Sequence, residues 1–182
     1  AWTDNAVIQR DAPIVVEGRA EPGETVSATL GQESRSATAD AAGRFALTFG
    51  PRPASATPLT LSLNGQPVLR NLLVGDVWLC SGQSNMEWST QNALNSWGEI
   101  NASADPLLRM LQVPKDTASA PAEDFARPIA WTAATPETVS PFSAACYHMA
   151  KELRRALKVP VGAIHASWGG SKLNPWLTPL GG

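Results

Sequence analysis

The stretch Gly75-Asp76-Val77-Trp78-Leu79-Cys80-Ser81-Gly82-Gln83-Ser84-Asn85-Met86-Glu87-Trp88 carries the clearest chemical signal in the chain. An apolar run, Leu72 to Leu79, stops at a small, polar, glycine-bearing turn with Ser84 at its tip. A parallel sheet presents a nucleophile in this way: the strand ends, the backbone reverses, and the serine sits where a helix begins. The first N–H groups of such a helix have no intrahelical acceptor and point at whatever the serine attacks. Gly82 permits the reversal, Gln83 flanks the serine, and Asn85 can brace the turn through backbone groups. A serine that merely caps a helix is the ordinary alternative. The block is not a Gly-x-Ser-x-Gly elbow, because Met86 holds the last position.

A second small-residue turn, Ser167-Trp168-Gly169-Gly170-Ser171, follows the apolar run Val161 to Ala166. Glycines leave the backbone N–H open to a developing negative charge, although a plain strand-to-loop turn has the same composition. Sites in parallel sheets lie at the carboxyl ends of strands, so the two turns can converge from different strands.

The chain changes character near residue 70. Before it, short alternating runs are separated by turn residues: Ile14 to Arg19, Thr25 to Leu30, Arg44 to Phe49 and Leu59 to Leu63, the last ending at Asn64-Gly65. That spacing predicts a small antiparallel sandwich. After Asn71 the pattern becomes α/β. Strands are expected at Leu72 to Leu79, Leu107 to Val113 and Val161 to Ala166, with a weak helix over 92–104 and a loop over 115–128. Ser140 as N-cap and Pro141 at the first helical position predict the strongest helix. Its apolar face comprises Phe142, Ala145, Cys146, Met149, Leu153, Ala156 and Leu157, and Pro160 stops it. Strand, helix, strand in this order implies right-handed parallel crossovers.

With 182 residues and 43% apolar content, the chain can build one medium or two small domains around a real core. A net charge of −2 without any basic block argues against nucleic acid as a partner. No apolar run approaches the roughly 18 residues of a membrane span. Ala1 is not an initiator residue, which suggests a processed terminus. Cys80 and Cys146 show no metal-binding or disulfide-framework spacing and are expected as two buried free thiols, pairing being the alternative. No metal or organic cofactor is called for.

The Ser84 block resembles the first signature block of the sialate O-acetylesterase-like carbohydrate esterases of the SGNH hydrolase superfamily. The similarity continues in order along the chain: Val7 to Pro13 resembles their sandwich entry, Phe142 to Leu153 their long helix, and Val159 to Ser171 their second block. The resemblance implies a fold class of α/β. An N-terminal β-sandwich over residues 1–70 would precede, over 71–182, the first half of a three-layer α/β/α domain with a parallel sheet. It also implies a serine esterase removing acetyl groups from a sugar. Ser84 would attack the acyl carbonyl, and the backbone N–H groups of Ser84 and of Gly170 or Gly169 would hold the oxyanion. Gln83 and Asn85 would support the site, and Trp88, Trp168, Ser171 and Asn174 would line the substrate. Trp78 is expected in the core.

A serine needs a base to take its proton. The family supplies it from an Asp-x-x-His element near the C-terminus and adds an oxyanion donor from a Gln-Gly-Glu block, and this chain has neither. Its two histidines are His148, expected as a packing or surface residue, and His165, at a strand end and not expected as the base. The chain therefore reads as part of a larger enzyme, inactive alone, whose remaining catalytic half is a later segment or a second chain. Asn174 at a usually acidic position, with Pro175 beside it, weakens any assignment among sialic acid, xylan and xyloglucan esters. A carbohydrate-binding protein with a vestigial esterase domain, or an esterase acting on a non-sugar ester, are the alternatives. Location by resemblance is periplasmic or secreted.

Overall fold

The computed structural model describes residues 2–118, 120, 122 and 124–172. Its N-terminal part contains strands β1 (Val7–Gln9), β2 (Ile14–Arg19), β3 (Thr25–Leu30), β4 (Glu33–Thr38), β5 (Arg44–Phe49) and β6 (Ser55–Leu63). Strand β7 (Gln66–Gly82) is 17 residues long and leads into helix α1 (Ser84–Glu87). A 3-10 turn (Thr90–Asn92), α2 (Ser96–Asn101), β8 (Asp105–Gln112) and β9 (Trp131–Ala134) follow. Helices α3 (Pro136–Val139) and α4 (Ala144–Leu157) then precede β10 (Val161–Ser167).

The period-2 pattern of the N-terminal strands becomes a sandwich. Strands β2 and β5 form an antiparallel pair, while β3 pairs with β4 and β6 in the second sheet. Val16, Phe45, Leu47 and Phe49 from the first sheet meet Val26, Ala28, Leu30 and Leu61 from the second in one apolar cluster. Alternation puts one side chain of every two into that cluster and the other into water.

Strand β7 belongs to both parts of the fold. Its first half pairs antiparallel with β6 and, through Leu73 to Gly75, parallel with β1. Its second half, Asp76 to Gly82, pairs parallel with β10, which pairs parallel with β8; β9 adds an antiparallel edge. At the changeover the Arg10 guanidinium grips the buried Asp76 carboxylate, at 2.7 and 3.3 Å. The α/β class is as expected, with a sheet that is partly parallel and partly antiparallel.

Helix α4 packs on one face of the parallel strands. Cys146, Tyr147 and Ala150 form a buried cluster there with Cys80, Leu108, Met110, Val161 and Ala163. On the opposite face Val77, Leu111, Trp131 and Ile164 join the sandwich cluster.

Three sequence expectations are corrected here. The long helix starts three residues later than Ser140 and Pro141 suggested. Thr135 and Thr138 form a capping box that, with Pro136, starts the short α3, which ends at Ser140. Ser143 is the N-cap of α4 and accepts the Cys146 N–H at 3.2 Å. Cys80 and Cys146 are not free thiols but a disulfide, with Cα atoms 5.8 Å apart and a sequence separation of 66. Strand alternation turns Cys80 toward α4, and Cys146 lies in the first turn of that helix; spacing along the chain carries no trace of this. Trp78 is not core: it is 43% exposed, and Leu79, on the opposite face, is 66% exposed. Strand side chains stand off the faces of a sheet, so burial depends on what packs over each face; α4 covers Cys80 and leaves Trp78 exposed. The Val77 N–H is taken by Gln9 Oε1 at 2.9 Å, and beyond it no strand lies along the β1 side of β7 among the described residues.

The disulfide closes a long loop, so it removes much unfolded-chain entropy. Cys146→Ser, or reduction, is expected to lower the unfolding free energy by about 4 kcal/mol. Denaturant midpoints with and without reductant measure this; equal midpoints would show that the bond contributes nothing.

Candidate functional site

The turn that carries Ser84 is built by one glycine and one amide. Gly82 has φ +146°, and a Cβ there would lie 2.7 Å from Met86 Cγ, so only glycine allows this reversal. Gln83 is the N-cap of α1. Its carbonyl accepts the N–H groups of Met86 and Glu87, each at 2.9 Å. Its side-chain Oε1 accepts from the Ser84 N–H at 3.4 Å and from the Ser84 hydroxyl at 3.3 Å. Gln83 thus braces the turn, while Asn85 is exposed on α1. The Ser84 side chain faces an open cleft of about 1150 Å³.

The turn after β10 packs directly on this serine. The Trp168 N–H donates to the Gly82 carbonyl at 3.0 Å, which ties the two strand ends together. A Cβ on Gly169 would lie 3.5 Å from Ser84 Cα and 3.6 Å from Ser84 Cβ. Ser84 and Gly169, which are far apart in sequence, therefore sit side by side. Gly170 follows with φ +78°, exposed, and no atom of the described residues lies within 4 Å of where its Cβ would sit. The Ser171 hydroxyl donates to the Trp168 carbonyl at 2.7 Å and closes the turn.

The two glycine N–H groups differ. That of Gly169 donates to Glu87 Oε2, whereas that of Gly170 has no partner among the described residues. Glu87 Oε1 in turn pairs with the Lys115 ammonium. Sequence reading gave Glu87 no role. A single glutamate in a four-residue helix has no periodic signature, and its partners lie 28 and 82 residues away.

Of the two aromatics expected to line substrate, Trp88 borders the cleft and is 56% exposed. Its indole N–H donates to the Asn92 carbonyl at 2.9 Å, which holds the ring in one orientation. Trp168 is half-buried, with the Lys115 ammonium 6.0 Å from its ring centroid. Asn174, Pro175 and Trp176 lie outside the described residues. The described residues include no cluster of three or more His, Cys, Asp or Glu placed to hold a metal ion.

His165 also borders the cleft, but both its ring nitrogens are engaged. Nδ1 lies 2.6 Å from Gln112 Oε1, and Nε2 is hydrogen-bonded with the Ser167 hydroxyl. The ring is 3% exposed and meets Phe142 edge-on, with centroids 5.4 Å apart. Burial pushes its pKa below the ordinary value, against the raising influence of the Met86 backbone; nearby Lys115 lowers it further. His148 stays on α4, half-buried beside the Tyr147 ring at 5.3 Å. Both ring nitrogens of His165 are thus engaged, and His148 is not among the residues that border the cleft.

Because His165 is held neutral in the fold but titrates near 6.5 when unfolded, it has a definite pH signature. Its contribution is intact above about pH 6.5. It falls away on acidification, since the unfolded chain then binds a proton that the native state refuses. Thermal midpoints should drop between pH 7.5 and 5.5, and His165→Gln should flatten that slope even if it lowers the midpoint overall. An unchanged slope would refute the assignment.

No family model matches the chain. It is 31% identical over 193 residues to the human sialate O-acetylesterase, covering 95% of this chain and 37% of that protein. Against the orangutan (Pongo abelii) sialate O-acetylesterase it is 30% identical over the same shares. The crystal structure of a carbohydrate acetylesterase from Xanthomonas citri superposes with a TM-score of 0.91 at 34% identity, over 98% of this chain and 41% of that one. The chain thus spans little more than a third of the length of the curated relatives it matches. Over that span, sequence and fold agree, and the chain is similar to the N-terminal portion of a carbohydrate esterase.

Proposed function

We propose that this chain carries the nucleophile half of a carbohydrate O-acetylesterase of the SGNH type. The observation that bears most weight is the packing of Gly169 against Ser84 at the meeting of two strand ends, in a cleft bordered by Trp88. Ser84 attacks the acetyl carbonyl and forms an acyl-enzyme, which water then hydrolyses. Charge developing on the carbonyl oxygen is met by the glycine turn and by the Ser84 N–H, which exchanges its long 3.4 Å contact with Gln83 Oε1 for the acyl oxygen. The exposed indole face of Trp88 offers a flat apolar surface to a sugar ring. The base that takes the Ser84 proton comes from a segment outside this chain, because both described histidines are otherwise placed.

Residues 1–70 act as a sandwich accessory domain and residues 71–182 as the first part of the hydrolase domain, the two sharing β7. The substrate is an acetylated sugar, either sialic acid or a plant cell-wall glycan such as xylan or xyloglucan. The Cys80–Cys146 disulfide supports a periplasmic or secreted location, where such bonds persist. No helix is long and apolar enough to cross a membrane among the described residues.

The engagement of both His165 nitrogens also favours a second reading, a sugar-binding protein with a vestigial esterase site. One comparison separates the two. In the protein extended to the length of its relatives, Ser84→Ala should reduce acetate release from O-acetylated sialic acid, xylan or xyloglucan by about 10⁶-fold. Substrate binding should be retained. Unchanged turnover in the variant would sink the esterase reading. Saturable sugar binding without turnover in the parent protein would establish the second.

A further inference from the structure

The two oxygens of the Glu87 carboxylate hold two different segments. Oε2 accepts the N–H of Gly169 in the turn after β10, and Oε1 pairs with Lys115 in the loop after β8. Glu87 itself belongs to α1, three residues beyond Ser84. One side chain therefore ties together the three strand ends that surround the serine. The fit is close: a Cβ on Gly169 would come within 2.6 Å of Glu87 Oε2.

This arrangement poses an electrostatic problem and also answers it. A carboxylate next to the site where an oxyanion forms opposes that charge. The Lys115 ammonium, which also lies 6.0 Å from the Trp168 ring centroid, neutralises it. We propose that Glu87, held by Lys115, is a positioning residue. It occupies the Gly169 N–H and locks the Gly169–Gly170 turn against Ser84, leaving the unpartnered Gly170 N–H as the turn's donor to the acyl oxygen. The proposal rests on the esterase reading of Ser84.

The test is a set of variants in the protein extended to the length of its relatives, assayed on an aryl acetate and an O-acetylated sugar. Glu87→Ala should lower kcat by about 100-fold, the scale of a misplaced catalytic group, with KM changed by less than about threefold. Glu87→Gln keeps an oxygen for the Gly169 N–H and should recover most of that loss. Lys115→Met should cost about tenfold beside Glu87 but nothing further in the Glu87→Gln background, since no carboxylate is then left uncompensated. Independently of activity, amide hydrogen exchange at Gly169 should accelerate in Glu87→Ala while that at Ala163 in β10 stays slow.

Parental kcat in Glu87→Ala, with Ser84→Ala inactive, would overturn the proposal and leave the esterase reading standing. So would unchanged exchange at Gly169, or a Glu87→Gln variant as impaired as Glu87→Ala. Parental turnover in Ser84→Ala would instead overturn the esterase reading, and the positioning role with it.

Discussion

Everything near the serine depends on the continuity of β7. A strand offers two faces and two edges in strict alternation, and over 17 residues this one uses nearly all of them. Its early residues are locked by β6 on one edge and β1 on the other. Its later residues place Val77 toward the sandwich core and Cys80 toward α4. A shift of one residue would send each of these to the wrong face. The Arg10–Asp76 contact at the changeover helps hold the register, and the Ser84 turn inherits its position from it. The disulfide then anchors the same strand to α4 four residues before the serine.

Two polar networks flank the turn and differ in what they contribute. The His165, Gln112 and Ser167 network has His165 and Ser167 buried, Gln112 exposed at its end, and both ring nitrogens paired. It stiffens the floor of the cleft, and breaking it would strand polar groups away from water. The Glu87–Lys115 pair is partly exposed, with side chains 31% and 39% accessible. Ion pairs in such settings are worth about 0–1 kcal/mol, too little to matter for holding the fold. Its importance lies in geometry, because it connects segments that the sheet alone leaves independent.

Much of this was legible in the sequence. The apolar run ending at Gly82 and the run ending at Ser167 each marked a strand that stops at a small-residue turn. The alternation of Thr25 to Leu30 marked a sandwich strand. The apolar spacing over Phe142 to Leu157 marked the long helix but not its buried face. Ala145, Met149, Ala156 and Leu157 are exposed, and Tyr147 and Ala150 are buried beside Cys146 because the helix lies against the sheet on that side. What was hidden depended on contacts between distant residues. Cys80 and Cys146 meet only because β7 and α4 pack face to face. Trp78 looks like a core residue in any apolar run, yet its exposure is decided by how far α4 reaches over that face of β7. Two nearby capping signals, Thr135-Pro136 and Ser140-Pro141, competed for a helix start. The three-residue-later cap at Ser143 has the weaker local signature. Glu87 and Lys115 are ordinary surface residues until three chain segments meet.

Among the described residues no strand lies along the β1 side of β7 beyond Val77, and an edge of that kind has a physical consequence of its own. A strand edge with unused N–H and C=O groups is a template for adding another strand, and proteins blunt such edges with charges, prolines or bulges. Between Trp78 and Gly82 this edge carries none of these, and the side chains beside it include Trp78 and Leu79, both exposed. The row of open hydrogen-bonding groups runs up to the turn that holds Ser84. Whatever strand joins there, from the same polypeptide or from a neighbour in a concentrated solution, is delivered to the rim of the serine's cleft. A strand added along this edge would therefore set another segment next to the serine's chemistry.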